Sequence, residues 1–211
     1  FGHSINNDSS SKLSQSLNRL LKNVKGGNEQ RMVETLTIRS MAKAVYTTNN
    51  IGHYGLGFGY YSHFTSPIRR YPDLIVHRLL QQYIGDGRVV DTDGLEMVCK
   101  HCSEMEKRAA MAERDSIKYM QVKYMQPNIG KVFSGMVSGV TGWGLYVELT
   151  ENKCEGLVKI NSLKKDYFIY EKEKFALTGT RTNVQYQLGQ SVRVKVLAAD
   201  LEKRQLNFTI V

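Results

Sequence analysis

The sequence predicts an α+β chain: a mainly helical part over residues 1–129, then an all-β barrel of five short strands over 130–211. Two observations carry this expectation. Up to about Met125 apolar residues recur at three- or four-residue spacing, and from Gly130 they alternate with polar ones. Between the two patterns stands Pro127-Asn128, which ends a helix. With 211 residues and 41% apolar content, the chain can bury one good core or two smaller ones.

The opening residues through Asp8 read as irregular, and the serines at 9–11 offer a helix cap. Leu13, Leu17, Leu20, Leu21 and Val24 then form one helical stripe, stopped by Gly26-Gly27. Asn28 can cap a second helix, whose apolar face is Val33, Leu36, Met41, Ala44 and Val45 until Thr47-Thr48-Asn49-Asn50 breaks the pattern. Residues 51–65, IGHYGLGFGYYSHFT, hold four glycines among aromatics, which suits short extended pieces lining a cleft. A third helix begins at Pro72, because proline fits a first turn but costs roughly 3 kcal/mol in a helix interior. It runs to about Ile84 with Ile75, Leu79 and Tyr83 on one face. Gly85-Asp86-Gly87-Arg88 and Asp91-Thr92-Asp93-Gly94 follow as turns. The D-x-D spacing there suggests a metal loop, but the further oxygen ligands of a calcium loop are missing. The longest helix covers 95–126, with Leu95, Cys99, Cys102, Met105, Ala109 and Ala112 in its stripe; Ser103 and Glu106 have the capping-box layout, so a kink is expected near Cys102.

Five strand-like runs follow at 131–140, 145–149, 155–160, 192–199 and 205–210, a number that suits an OB barrel. In the fourth, Val192, Val194, Val196 and Ala198 face one way while Arg193 and Lys195 face the other. In the fifth, Leu206, Phe208 and Ile210 alternate with Gln205, Asn207 and Thr209. The polar and aromatic region 161–188 reads as an elaborated loop with a helical turn.

The net charge of +9 favours an anionic partner, nucleic acid first, over a merely solvated basic surface. The excess is shared: 17 Lys and Arg against 12 Asp and Glu up to residue 129, then 12 against 8. No apolar run approaches the roughly 18 residues a membrane helix needs, and the first residues lack a signal-peptide layout, so no membrane partner and a cytoplasmic location are expected. Three cysteines, an odd count, argue against a disulfide framework or a disulfide-linked partner. The CKHC run at 99–102 invites a zinc or redox reading, against that of two thiols on a packed helix face; no second CxxC or HxxxH supports zinc.

The densest local chemistry lies at 60–80, YYSHFTSPIRRYPDLIVHRLL. Arg69 and Arg70 sit on a tight turn before a helix whose positive dipole end faces them, an arrangement that a phosphate would satisfy. The alternative is that Asp73 pairs with one arginine and caps the helix. His53 and His63 are candidates for proton transfer, or hydrogen-bonded structural residues among aromatics.

HFTSPIRRYPDL, preceded by IRSMAKAVYTTNNIGHYGL, resembles the late part of the catalytic domain of RNB-family exoribonucleases, the ribonuclease II and ribonuclease R group. GMVSGVTGWGLYVEL, EGLVKINSL and YQLGQSVRVKVLAADLEKRQLNFTI together resemble an RNA-binding module of the ribosomal-protein S-one type, over nearly all of 130–211. The resemblance implies 1–129 as the C-terminal part of the RNB catalytic domain and 130–211 as the S-one domain. It further implies that the complete enzyme hydrolyses single-stranded RNA processively from the 3′ end to nucleoside 5′-monophosphates. By the family pattern Arg69 stabilises charge on the scissile phosphate, and the AERD segment places Glu113 near the active-site end of the RNA path. The family's magnesium is held by upstream aspartates that have no counterpart here, so the chain alone is expected to be inactive and to hold no cofactor. RNA contact is expected from Arg70 and from Trp143, Tyr146, Lys159, Arg193 and Lys195. An outward Trp143 beside Tyr146 would make a base-stacking platform with Arg193 and Lys195 as its rim; an inward Trp143 would instead plug the barrel end. Lys159 stands where the family usually has a histidine. The rival reading is a non-enzymatic RNA-binding protein that reuses both domains.

Overall fold

A computed structural model describes residues 3–6, 8–27, 30–85, 87, 92–163 and 166–211. The expected cap Asn28, and Asp86, Arg88 and Asp91 of the two turns, lie outside the described residues. Packing divides the chain into two compact units, residues 1–41 with 115–211, and residues 42–114. Among the described residues no helix is long and apolar enough to cross a membrane.

The first unit opens with α1 (Ser10–Asn23), capped as expected: Ser9 is extended and its Oγ accepts the Lys12 N–H at 3.3 Å. Leu20 and Val24 of the expected stripe are buried. The second helix, α2 (Gln30–Ser40), is shorter than the sequence suggests and buries Met32 and Thr37; of the expected face, Leu36 packs half-buried against the core. Ser40 Oγ bonds back to the Thr37 carbonyl at 2.8 Å in the last turn, and Met41 and Val45 are exposed, so the apolar spacing beyond Ser40 serves no helix face.

Among the described residues eight strands follow: β1 (Val132–Thr141), β2 (Gly144–Leu149), β3 (Glu155–Lys159), β4 (Phe168–Glu171), β5 (Ala176–Gly179), β6 (Gln185–Gln187), β7 (Ser191–Asp200) and β8 (Gln205–Ile210). Five of them close a barrel in the order β1-β2-β3-β8-β7. All its pairings are antiparallel except β3 with β8, which joins Leu157 to Asn207 and Val158 to Phe208 in parallel. The alternation read from the sequence fills the interior. Leu145, Val147 and Leu149 of β2 meet Val158, Val194, Val196, Leu206 and Phe208 there, all essentially inaccessible. Bulges between Val137 and Gly139 and between Val196 and Ala198 bend the two long strands round the barrel.

The region 161–188 is not an elaborated loop: β4, β5 and β6 form a separate three-stranded antiparallel sheet. Its apolar anchors, Phe168, Ala176 and Leu177, are buried, but they are too few and too widely spaced among polar residues to reveal strands in advance. Asp166 ties its turn together, accepting from the Thr182 hydroxyl and from the Arg181 and Thr182 backbone N–H groups. These donors, the Thr182 hydroxyl foremost, hold its carboxyl well below the ordinary range.

The second unit contains α3 (Tyr71–Gly85), which starts one residue before Pro72, and the first part of α4 (Thr92–Met125). Between Ala42 and α3 the chain is irregular apart from tight turns at Tyr54–Leu56 and at 66–70 and a bridge of His53 to Phe58. The 34-residue α4 is continuous, without a break near Cys102. Ser103 does not act as a cap: its Oγ donates to the Cys99 carbonyl and accepts the Tyr46 N–H, each at 2.9 Å, and so fastens the irregular segment to the helix. Glu96 does the same about two turns earlier, accepting from the Thr48 N–H and from the Thr47 and Thr48 hydroxyls. Among the described residues of this unit only Asp73 and Ser103 are buried, and no apolar side chain is.

Candidate nucleic-acid interface

The SPIRR turn owes its shape to one buried carboxylate. Asp73, in the first turn of α3, is fully inaccessible, and its Oδ2 accepts both the Ser66 N–H at 2.8 Å and the Arg70 guanidinium at 2.9 Å. The Ser66 carbonyl in turn accepts the Arg69 and Arg70 N–H groups. Burial alone would raise the Asp73 carboxyl; the Ser66 N–H and the Arg70 ion pair outweigh it and hold the group below its usual value. Arg70, expected among the RNA contacts, therefore has its guanidinium turned inward, 14% exposed, on Asp73. The two arginines divide the two readings of the sequence between them. Arg70 serves the helix start, and Arg69 is left exposed at the tip of the turn.

The histidines sort in the same way. His53 Nδ1 accepts the Leu56 N–H at 3.1 Å, so its lone pair is spent on the turn that carries it. His63 packs edge-on against Tyr46 and Tyr61, and burial, with the Arg70 charge behind it, pushes its imidazole down. His77 stacks on Phe64 at 4.2 Å and places Nε2 2.8 Å from the Phe64 carbonyl, bracing the segment ahead of the turn on α3. Glu113 is exposed on α4, and no hydrogen bond joins it to the SPIRR turn among the described residues. Its neighbour Asp115 instead pairs at 2.7 Å with Arg204 of the β7–β8 turn. Cys99 and Cys102 are partly buried, and burial pushes both thiols up. Among the described residues no three His, Cys, Asp or Glu side chains converge as metal ligands, so the donor set that magnesium needs is not found there.

On the barrel, Trp143 is 61% exposed and does not plug the end; its indole Nε1 donates to the Tyr146 hydroxyl at 3.3 Å. Gly144 makes this possible. Its φ is +150°, and a Cβ there would lie 2.1 Å from the Val158 carbonyl oxygen. Lys159 pairs in register with Gly144, and Ile160 N–H donates to the Trp143 carbonyl, so Trp143, Tyr146 and Lys159 share one corner of β2 and β3. Arg193 and Lys195 do not rim this corner. Both are exposed on β7, where Arg193 faces Ser134 and Lys195 faces Val132 and Thr209. Tyr146 sits opposite Gly139, at the other end of β1. Alternation correctly places these side chains outside, but strand order decides which of them are neighbours, and β7 does not border β2. Sequence reasoning also missed Lys118, whose Nζ donates to the Glu155 carbonyl at 2.6 Å; burial, partly offset by the Glu155 charge, lowers its ammonium.

Comparison with known proteins gives these two places a common setting. The RNB domain family matches residues 3–86, and the S1 RNA binding domain family matches residues 126–210. Ribonuclease R of Aquifex aeolicus (strain VF5) is 41% identical over 197 residues, which cover 92% of this chain and 28% of that protein. Ribonuclease R 1 of Lactococcus lactis subsp. lactis (strain IL1403) is 38% identical over 214 residues, covering 99% and 26%. The structure of Mycoplasma genitalium RNase R in complex with ribose methylated single-stranded RNA matches all of this chain and 34% of that one, with a TM-score of 0.87 and 31% identity. The chain thus spans about a quarter to a third of the length of the relatives it matches. With an RNB match ahead of an S1 match and ribonuclease R relatives across nearly its whole length, the chain belongs to the RNB family, in the ribonuclease R group.

Proposed function

We propose that this chain is part of a cytoplasmic 3′-to-5′ exoribonuclease that hydrolyses single-stranded RNA to nucleoside 5′-monophosphates, and that it contributes the RNA clamp and one wall of the active site. The observation that carries this reading is the division of labour at the SPIRR turn. One arginine is locked to Asp73, and the other is displayed, exposed, next to a helix start. Attack of water on the last phosphodiester builds negative charge on the scissile phosphate and on the departing O3′. A guanidinium held on a turn with no freedom to collapse onto its own carboxylate stabilises that charge without reorganising. Glu113 would line the same path. Magnesium would be held by carboxylates that the described residues do not supply. On the barrel, Trp143 and Tyr146 offer flat faces that only unpaired bases can reach, which favours single strands over duplex.

In an enzyme that carries this segment, Arg69→Ala should lower kcat by roughly 100-fold or more, the magnitude lost with one preorganised charge-stabilising donor. RNA affinity should fall by less than about tenfold, because many basic groups share ground-state binding. Arg69→Lys should recover little, since an ammonium cannot reproduce a planar two-point contact. Equal losses of rate and affinity would reduce Arg69 to part of a channel wall. The chain alone, incubated with 5′-labelled RNA and magnesium, should leave the RNA full length. Steady one-nucleotide shortening would mean that the catalytic acids are in it after all.

A further inference from the structure

The displacement of Arg193 and Lys195 from the aromatic corner makes them a place of their own. Their side of the barrel is basic. β1 and β8 contain no carboxylate, and β7 contains one, Asp200, at its far end facing Lys203. Arg193 and Lys195 are two residues apart on one face of β7 and make no ion pair among the described residues. Two hydroxyls flank them in register, Ser134 beside Arg193 and Thr209 beside Lys195. Two cations and two hydroxyls with no acid between them are the chemistry of a phosphate strip.

The row between this strip and the aromatic corner passes through Leu157, which is buried, and Asn207, whose Oδ1 is inaccessible, so the two places stand apart. Tyr146 pairs with Leu157, Leu157 with Asn207, Asn207 shares a face with Thr209 two residues on, and Thr209 pairs with Lys195. Every group along that row is uncharged. Three strand spacings and two residues along β8 make it roughly 16 Å long, a few nucleotides of single strand. By contrast β2 and β3 carry Glu148 and Glu155, each already facing a lysine, Lys153 and Lys118 respectively.

We propose that the barrel holds single-stranded RNA at two separate places, by stacking at Trp143 and Tyr146 and by backbone phosphates at Arg193 and Lys195. This rests on the RNA-binding reading above and adds the second place and the division of tasks. The test is titration of the full chain with a fluorescent twelve-nucleotide uridine oligomer over a series of salt concentrations. Arg193→Gln with Lys195→Gln should make the plot of log affinity against log salt shallower by about 1.4, at −0.7 for each phosphate released. Tyr146→Ala should weaken binding at every salt concentration and leave the slope unchanged. Lys22→Gln with Lys25→Gln, which removes the same charge at the end of α1, should leave the slope as it was. An unchanged slope for the β7 pair while Tyr146→Ala weakens binding would overturn the strip and spare the RNA-binding reading. An equal change from the α1 pair would also overturn it, by reducing the effect to net charge. If the unaltered chain binds no RNA, both fall.

Discussion

Asp73 is where a single residue decides the most. It is a buried acid whose two partners, the Ser66 N–H and Arg70, both belong to the turn it shapes. A carboxyl held below its unfolded value, near 3.9, adds stability that is fully present above about pH 4 and is lost as pH falls through the lower folded value. Asp73→Asn should therefore speed hydrogen exchange of the Ser66 and Arg70 amides by roughly tenfold or more at pH 7, the scale of a lost charged hydrogen bond. The gap between variant and wild type should close as pH drops well below 4. A gap that persists unchanged at low pH would mean that the charge of Asp73 is not what holds the turn. Arg70→Ala should loosen the same amides, while Arg69→Ala should not. This site was half legible in the sequence. The residue types at 66–73 limited the options to an anion site or an ion pair, but only the fold could show that Arg70 takes the pair and leaves Arg69 displayed.

Among the elements, legibility followed the strength of the repeat. The five barrel strands were readable because alternation runs through them, most cleanly in Leu206, Phe208 and Ile210 against Gln205, Asn207 and Thr209. Local rules failed where a side chain found a distant partner. Ser103 and Glu106 spell a capping box, yet Ser103 Oγ is spent on Cys99 and Tyr46, and α4 runs on unbroken. Ser103→Ala should cost about 1 kcal/mol by leaving the Tyr46 N–H unmatched, seen as faster exchange at Tyr46 with α4 still helical by circular dichroism. At the β2–β3 corner the requirement is steric. Gly144→Ala puts a methyl 2.1 Å from the Val158 carbonyl at a positive φ, so the strands must part. We expect the barrel's thermal midpoint to fall by roughly 10 °C or more. A midpoint within a degree or two of wild type would show that the corner can relax, and with it the placement of Trp143.

Across the whole molecule the two units differ in kind. The barrel unit has a dry interior to which Met32 of α2 and Val122 and Met125 of α4 contribute. The unit of residues 42–114 is fastened by polar bonds from Asp73, Glu96 and Ser103, and leaves Ile51, Tyr60, Ile68, Ile84 and Met97 largely exposed. Brief proteolysis should therefore cut first within 42–114 and leave 130–211 intact, and the chain should brighten an apolar-surface dye before any heating. First cuts within the barrel strands would contradict this ranking. The periodicity marks the change from helix to strand at Gly130 correctly. It could not show that residues 1–41 pack with the barrel, because that grouping rests on contacts such as Met32 with the barrel core, which no local repeat encodes.

The parallel seam of β3 with β8 also sets a timetable for synthesis. β1, β2 and β3 can pair with one another as they leave the ribosome, and β7 can join β1 across the inserted sheet. Neither β3 nor the free side of β7 finds its last neighbour until β8 has emerged. A nascent chain stalled before β8 presents two open strand edges, each a template for pairing with another chain. The cell's exposure to that hazard lasts as long as translation takes to get from β3 to β8, and the length of the inserted segment is what stretches it.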